Sequence, residues 1–185
     1  MTALSERNST GLRHWISAVL LLIFIQMVIS LVVFGGEFIC SSEIAISPFH
    51  FCLIQHGEKF CDVWQGPDIK VDVVTTVIIV SLYVPLVFVA FALLSTLFAA
   101  YGRDGLLLCL SGALQAASSL LILTGVIAFL MLNQSYLSWK HMTIWFYSCC
   151  GVLSELIVVT LLTLVSTKKL NSVYSPNFEP LVEMA

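Results

Sequence analysis

The residues with chemistry to offer fall in two places, a cysteine-bearing loop and a few polar side chains inside long apolar runs. In the loop, residues 49–55 face residues 58–64 across His56-Gly57. Gly at the second of two turn positions suits a type I′ hairpin. Such a turn sets Gln55 opposite Glu58 and therefore Cys52 opposite Cys61, a separation that permits a disulfide. Cys40 is the odd member: it could compete for a partner, bridge to another chain or stay free. The second set is Gln26, Gln115 and Glu155. Counted from Arg13, Asp104 and Lys168 at about 1.5 Å per residue, they lie at depths of about 20, 16 and 20 Å. The expectation is that Glu155 faces inward, neutral or hydrogen-bonded to Gln115 or Gln26, and that this cluster fixes helix rotation. An ion- or proton-handling site is the alternative. Ser111, Gln115 and Ser118 share one side of their run, as do Ser148, Gly151 and Glu155 of theirs.

Nothing else suggests a reaction. His50, His56 and His141 are loop residues without a ligand cluster, and no nucleophile has a base at workable spacing. No catalytic, cofactor-binding or metal-binding residues are expected, and the chain reads as a non-enzyme.

The elements that must position these residues are four apolar runs, 14–36, 73–102, 105–139 and 142–167. Each exceeds the roughly 20 residues a helix needs to cross a hydrocarbon core, and only the fourth holds a charged side chain, Glu155. Composition agrees: 59% of the 185 residues are hydrophobic and 10% charged, with a mean hydropathy of +1.00. Soluble domains carry about 25% charged residues. A net charge of −3 leaves no basic surface for nucleic acid. The spans are set at about 15–36, 73–101, 106–132 and 142–167, in a single domain of residues 1–185.

Basic residues orient the chain. Arg7, Arg13, Arg103, Lys168 and Lys169 fall on one side, and Lys59, Lys70 and Lys140 on the other, among several acidic residues. The positive-inside rule then places both termini in the cytoplasm. Residues 1–13 form a short polar segment, 37–72 the large outer loop, 133–141 a brief outer link and 168–185 a cytoplasmic tail. The first run is too long for a removable signal core, although Gly35-Gly36 offers small residues near its end. Gly102-Arg103-Asp104-Gly105 reads as a tight turn in which glycine permits positive φ. Pro85 predicts a kink in the second span. Ala92, Thr96 and Ala100, and likewise Gly112, Ala116 and Ser119, form small-residue faces for helix packing, with homo-oligomer formation the sharper reading.

A long first span, a loop with two cysteines and three closely spaced further spans resemble the claudin, peripheral myelin protein and calcium-channel-gamma superfamily. That superfamily carries G-L-W-x-x-C and a second cysteine a short stretch later. Here the corresponding residues are Ser47-Pro48-Phe49-His50-Phe51-Cys52, then Cys61. An aromatic replaces the Trp, and the Gly and Leu are absent, which argues against a claudin proper and against paracellular channel function. The transmembrane protein 140 group, with its F-x-x-F-C-L-like run, resembles residues 48–53 more closely. The resemblance implies a left-handed four-helix bundle capped by a small antiparallel sheet. The fold class is thus an all-α membrane protein, a four-helix transmembrane bundle with a small disulfide-pinned antiparallel β-sheet in the first extracellular loop.

Some signals are minor. Asn133-Gln134-Ser135 is a candidate glycosylation site, though it touches the end of the third run, where a transferase has poor access. Cys109 is a candidate for palmitoylation, with a role in helix packing the favoured reading, and Cys149 and Cys150 read as packing residues. The tail holds Tyr174 and a Ser175-Pro176 pair that a kinase could modify. The expected role is a non-catalytic multi-pass protein of the plasma membrane or another secretory-pathway membrane. It would act as a scaffold, adhesion or accessory subunit through its outer loop and helix faces. Its expected partners are the lipid bilayer and other membrane proteins, with no nucleic acid. A small ion or proton pathway through Gln26, Gln115 and Glu155 is the alternative.

Overall fold

The computed structural model describes residues 2–33, 37–48, 50–55, 58–63, 69–102 and 104–174. Its helices are α1 (Thr2–Val28), α2 (Ile69–Gly102), α3 (Gly105–Leu132) and α4 (Ile144–Tyr174). Between α1 and α2 lie the strands β1 (Ile39–Cys40), β2 (Ile44–Ile46), β3 (His50–Gln55) and β4 (Glu58–Val63). All four helices hold a stretch long and apolar enough to cross a membrane. Helix α1 starts at Thr2, so the segment expected to be a short polar lead is helical, and α4 continues past Thr167 to Tyr174.

Apolar side chains fill the space between the helices. Ile16, Leu20, Ile23 and Met27 of α1 meet Leu82 and Val89 of α2, Ile122 and Val126 of α3, and Val152, Leu156 and Val159 of α4, all buried. The outward surface is apolar as well, with Leu22, Phe91, Phe98, Leu120, Met131, Leu161 and Val165 exposed. Past Val28 the first helix widens into a π turn, Ile29–Val33. A π turn disturbs the regular carbonyl ladder. Tyr83 of α2 answers it by donating its hydroxyl proton to the Leu31 carbonyl at 3.0 Å.

Helices α2 and α3 share the most extensive contact of any two elements. Their link is short because Asp104 caps α3, its Oδ1 accepting the Leu106 N–H at 2.9 Å. The expected positive φ is not found at Gly102, which ends α2 in helical backbone, so capping by Asp104 makes the turn. Further along α2, Pro85 lies inside the helix, where it lacks the N–H that would reach the Ser81 carbonyl. Gly125 of α3 packs against this same turn. A Cβ there would lie 3.1 Å from Ser81 Cβ and from Leu82 Cγ. The small-residue faces are used within the chain: Ala92, Thr96 and Ala100 are buried, and Gly112 faces Thr163 of α4.

The strands form one antiparallel sheet in the order β1-β2-β3-β4. Phe38, just before β1, is fully buried and packs edge-on against Phe129 of α3 and Phe146 of α4, with centroids 5.1 and 5.9 Å away. The β1 edge is closed by the α3–α4 link. Cys40 N–H donates to the His141 carbonyl at 2.8 Å, and Thr143 N–H donates to the Phe38 carbonyl at 3.0 Å. Ile39 pairs with Met142, and the Thr143 hydroxyl donates to the Glu37 carbonyl. The sheet therefore sits on the ends of α3 and α4 rather than hanging from its own loop.

Candidate functional site

Cys52 on β3 stands directly opposite Cys61 on β4, and the two are joined in a disulfide. The register runs from His50↔Val63 to Gln55↔Glu58, as the hairpin reading requires. The His56-Gly57 turn itself lies outside the described residues, as does the tail beyond Tyr174. Cys40 is a free, exposed thiol. A second tie crosses the sheet: Lys59 Nζ lies 2.8 Å from Glu37 Oε1. That hydrogen bond holds the Lys59 ammonium above its ordinary 10.5. A raised lysine pKa adds stability below about pH 10.5 and loses it as pH rises further, so this pair does not respond near neutrality. The side chain is half exposed, and such a pair contributes little.

The three polar residues expected to meet between the helices do not. Gln115 is fully buried. It donates from Nε2 to Ser111 Oγ at 2.9 Å and accepts the Thr163 hydroxyl at Oε1 at 3.2 Å. Ser111 in turn donates to the Ala92 carbonyl and lies 2.6 Å from Thr96 Oγ1, so one polar network joins α2, α3 and α4. Gln26 belongs to a different clasp, between α1 and α4. Its Nε2 donates to Ser148 Oγ at 3.1 Å and to the Ser148 carbonyl at 3.3 Å, and Ser30 Oγ lies 2.9 Å from Ser148 Oγ. Ser148 and Thr163 are roughly 22 Å apart along α4 at about 1.5 Å per residue.

Glu155 lies between these two levels on α4 and joins neither. It is exposed, and among the described residues no hydrogen bond or ion pair reaches it. It lines an open groove of about 680 Å³ between α1 and α4, together with Trp15, Gln26, Trp145, Ser148 and Val158. The inward-facing cluster is thus corrected to two separate hydrogen-bonded clasps and one unpartnered carboxyl. The depth count failed because Arg13, Asp104 and Lys168 do not mark one plane. Lys168 lies inside α4, and Arg13 lies deep inside α1.

Arg13 is the functional-looking residue that sequence reading passed over. It is buried, and its guanidinium donates to the Ala99 carbonyl at 3.4 Å. Helix α2 has no basic residue in its own last turn, and α1 supplies the cation that its carbonyl end attracts. The signal was an arginine at the head of an apolar run that packs antiparallel to such an end. Two other expectations change. Asn133 is buried at 1% exposure and its Nδ2 donates to the Phe129 carbonyl at 2.9 Å, so this fold has no room for a glycan on that nitrogen. Cys109 is exposed on α3 beside exposed Leu106 and Leu110, so it is not a packing residue. Cys149 is buried and Cys150 half-buried, as packing residues would be. Among the described residues no group of His, Cys, Asp or Glu is placed to hold a metal ion.

No protein-family model matches this chain, and no curated protein matches it.

The split of the polar residues gives a paired expectation. Gln115→Leu should lower stability in detergent by about 1 kcal/mol, because interhelical hydrogen bonds in such settings are worth that order. The loss stays small because Ser111 and Thr163 keep carbonyl partners at Ala92 and Val159. Glu155→Leu should leave the unfolding midpoint unchanged or raise it, since no partner is stranded. Thermal melts of the two variants beside the unaltered chain check both, and the opposite ranking would refute this assignment.

Proposed function

We propose that this chain is a four-span membrane protein without catalytic activity, acting as a scaffold, adhesion or accessory subunit. Its disulfide-pinned outer sheet and its helix faces provide the contact surfaces. The observation that carries this reading is the continuous packing of apolar side chains from Ile16 to Met27 against the other three helices, which leaves Glu155 outside the bundle core. An ion pathway needs polar groups along the interior, and here the glutamines are each occupied in separate clasps. Insertion in a bilayer is supported by the apolar outward faces and by exposed Tyr101 near the end of α2, Trp139 shortly before α4, and Trp15 near the start of the apolar stretch Gly11–Leu31, as in an interfacial belt. Both termini are read as cytoplasmic, in the plasma membrane or another secretory-pathway membrane. The four-helix arrangement with a disulfide-bearing sheet after the first helix supports membership of the claudin-like superfamily.

Two measurements test the reading. Tags at both ends should be reached by antibody only after permeabilisation, and labelling of either in intact cells would reverse the topology. Purified protein in liposomes should carry no ion or proton flux above empty vesicles. A flux that Glu155→Gln abolishes, with stability unchanged, would replace the scaffold reading with the transport one.

A further inference from the structure

The α1–α4 groove holds the feature that the proposed role leaves unexplained. Glu155 is exposed in it, flanked by Val158 and by the Gln26–Ser148 clasp, with Trp15 and Trp145 at its ends. From Trp15 to Ser30 the groove follows α1 for roughly 22 Å, most of a hydrocarbon core about 30 Å thick. An acidic side chain at that depth is costly unless a complementary group meets it. Among the described residues no such group meets it. Arg13 is committed to the Ala99 carbonyl on α2, and Lys168 stands roughly 20 Å further along α4.

We infer that this groove receives a single membrane-spanning helix of another protein, carrying a lysine or arginine at mid-span that pairs with Glu155. The inference rests on the four-span membrane reading above. Charge selects this occupant over the other two available. A second copy of this chain has no Lys or Arg in residues 14–36, 73–102 or 105–139, nor in its fourth span short of Lys168, so its outward faces bring no such cation to Glu155. An acyl chain fits an apolar groove but has no donor for a carboxylate. A basic helix satisfies the length, the apolar walls and the charge together, and Gln26 of α1 and Ser148 of α4 add polar lining from either side.

The test uses the full chain, fluorescently labelled, in phosphatidylcholine vesicles with synthetic Leu-rich helices of about 24 residues. One helix carries a central Lys, a second a central Leu and a third a central Glu. Energy transfer should show the Lys helix associating about tenfold more tightly than the Leu helix. Glu155→Gln should erase that preference, Glu155→Asp should retain it, and Glu155→Lys should transfer it to the Glu helix. Helicity and an intact Cys52–Cys61 bond verify that each variant is folded. Equal association of the Lys and Leu helices, as a lipid-filled groove would give, overturns the inference. So does a Lys preference that survives Glu155→Gln, or self-association of the labelled chain that excludes the Lys helix. Flotation of the protein with vesicles after an alkaline wash separates the two levels. Protein that does not float removes the membrane reading and this inference with it. Protein that floats without preferring the Lys helix removes only the docking inference.

Discussion

Gly125→Ile is expected to destabilise the purified protein by about 3 kcal/mol, near the upper end of what overpacking a core costs. A bare Cβ at this position would already lie 3.1 Å from Ser81 Cβ and Leu82 Cγ. Everything beyond that Cβ has to push α3 away from α2 at the turn where Pro85 has removed a backbone hydrogen bond. Helix α2 is least able to resist bending there, so the displacement should spread to the Tyr83–Leu31 bond and loosen the π turn of α1. Gly125→Ala is the informative companion. Leu82 can rotate away, whereas Ser81 Cβ is fixed to the α2 backbone, so the two helices need to part by only a few tenths of an ångström and the alanine variant should lose about 1 kcal/mol. Thermal or denaturant unfolding in detergent measures both. A normally stable isoleucine variant would show that α2 and α3 do not approach this closely.

Removing the disulfide by Cys52→Ala with Cys61→Ala should cost about 2–3 kcal/mol, the range for closing a short loop. The double change avoids leaving one odd thiol beside Cys40, which is exposed and free. The loss should be confined to the sheet. Strands β3 and β4 depend on this tie and on Glu37–Lys59, whereas β1 is held by backbone bonds to His141 and Thr143. Hydrogen exchange should therefore speed up in β3 and β4 while β1 and the four helices keep their protection. Equal loosening of all four strands would mean that the β1 anchor contributes nothing on its own.

The parts of this fold that were legible in sequence are those set by run length and by a turn. Apolar stretches of span length announce helices whatever surrounds them, and a two-residue turn fixes the register that opposes Cys52 to Cys61. Rotation about each helix axis was not legible. Helices that are apolar on every side carry no stripe to say which face turns inward, so Cys109 and Glu155 could not be assigned to the outside. Depth was not legible either, because Arg13 lies within a helix and Lys168 precedes the end of one. The strands β1 and β2 are two and three residues long and exist through pairing with distant segments, which no local pattern encodes.

The anchoring of β1 to the start of α4 also sets an order of assembly. Glu37 and Thr143, which close that anchor, are 106 positions apart in the chain. At about 5–20 residues per second, a ribosome needs roughly 5–20 seconds between making one and the other. During that interval the hairpin can fold and oxidise, while the outer edge of β1, with the Cys40 thiol at its end, has no neighbour. The early hairpin disulfide then has a biosynthetic meaning besides a thermodynamic one. By consuming Cys52 and Cys61 within their own loop, it withholds both from Cys40, which stays an exposed thiol even after the last helix has joined the strand.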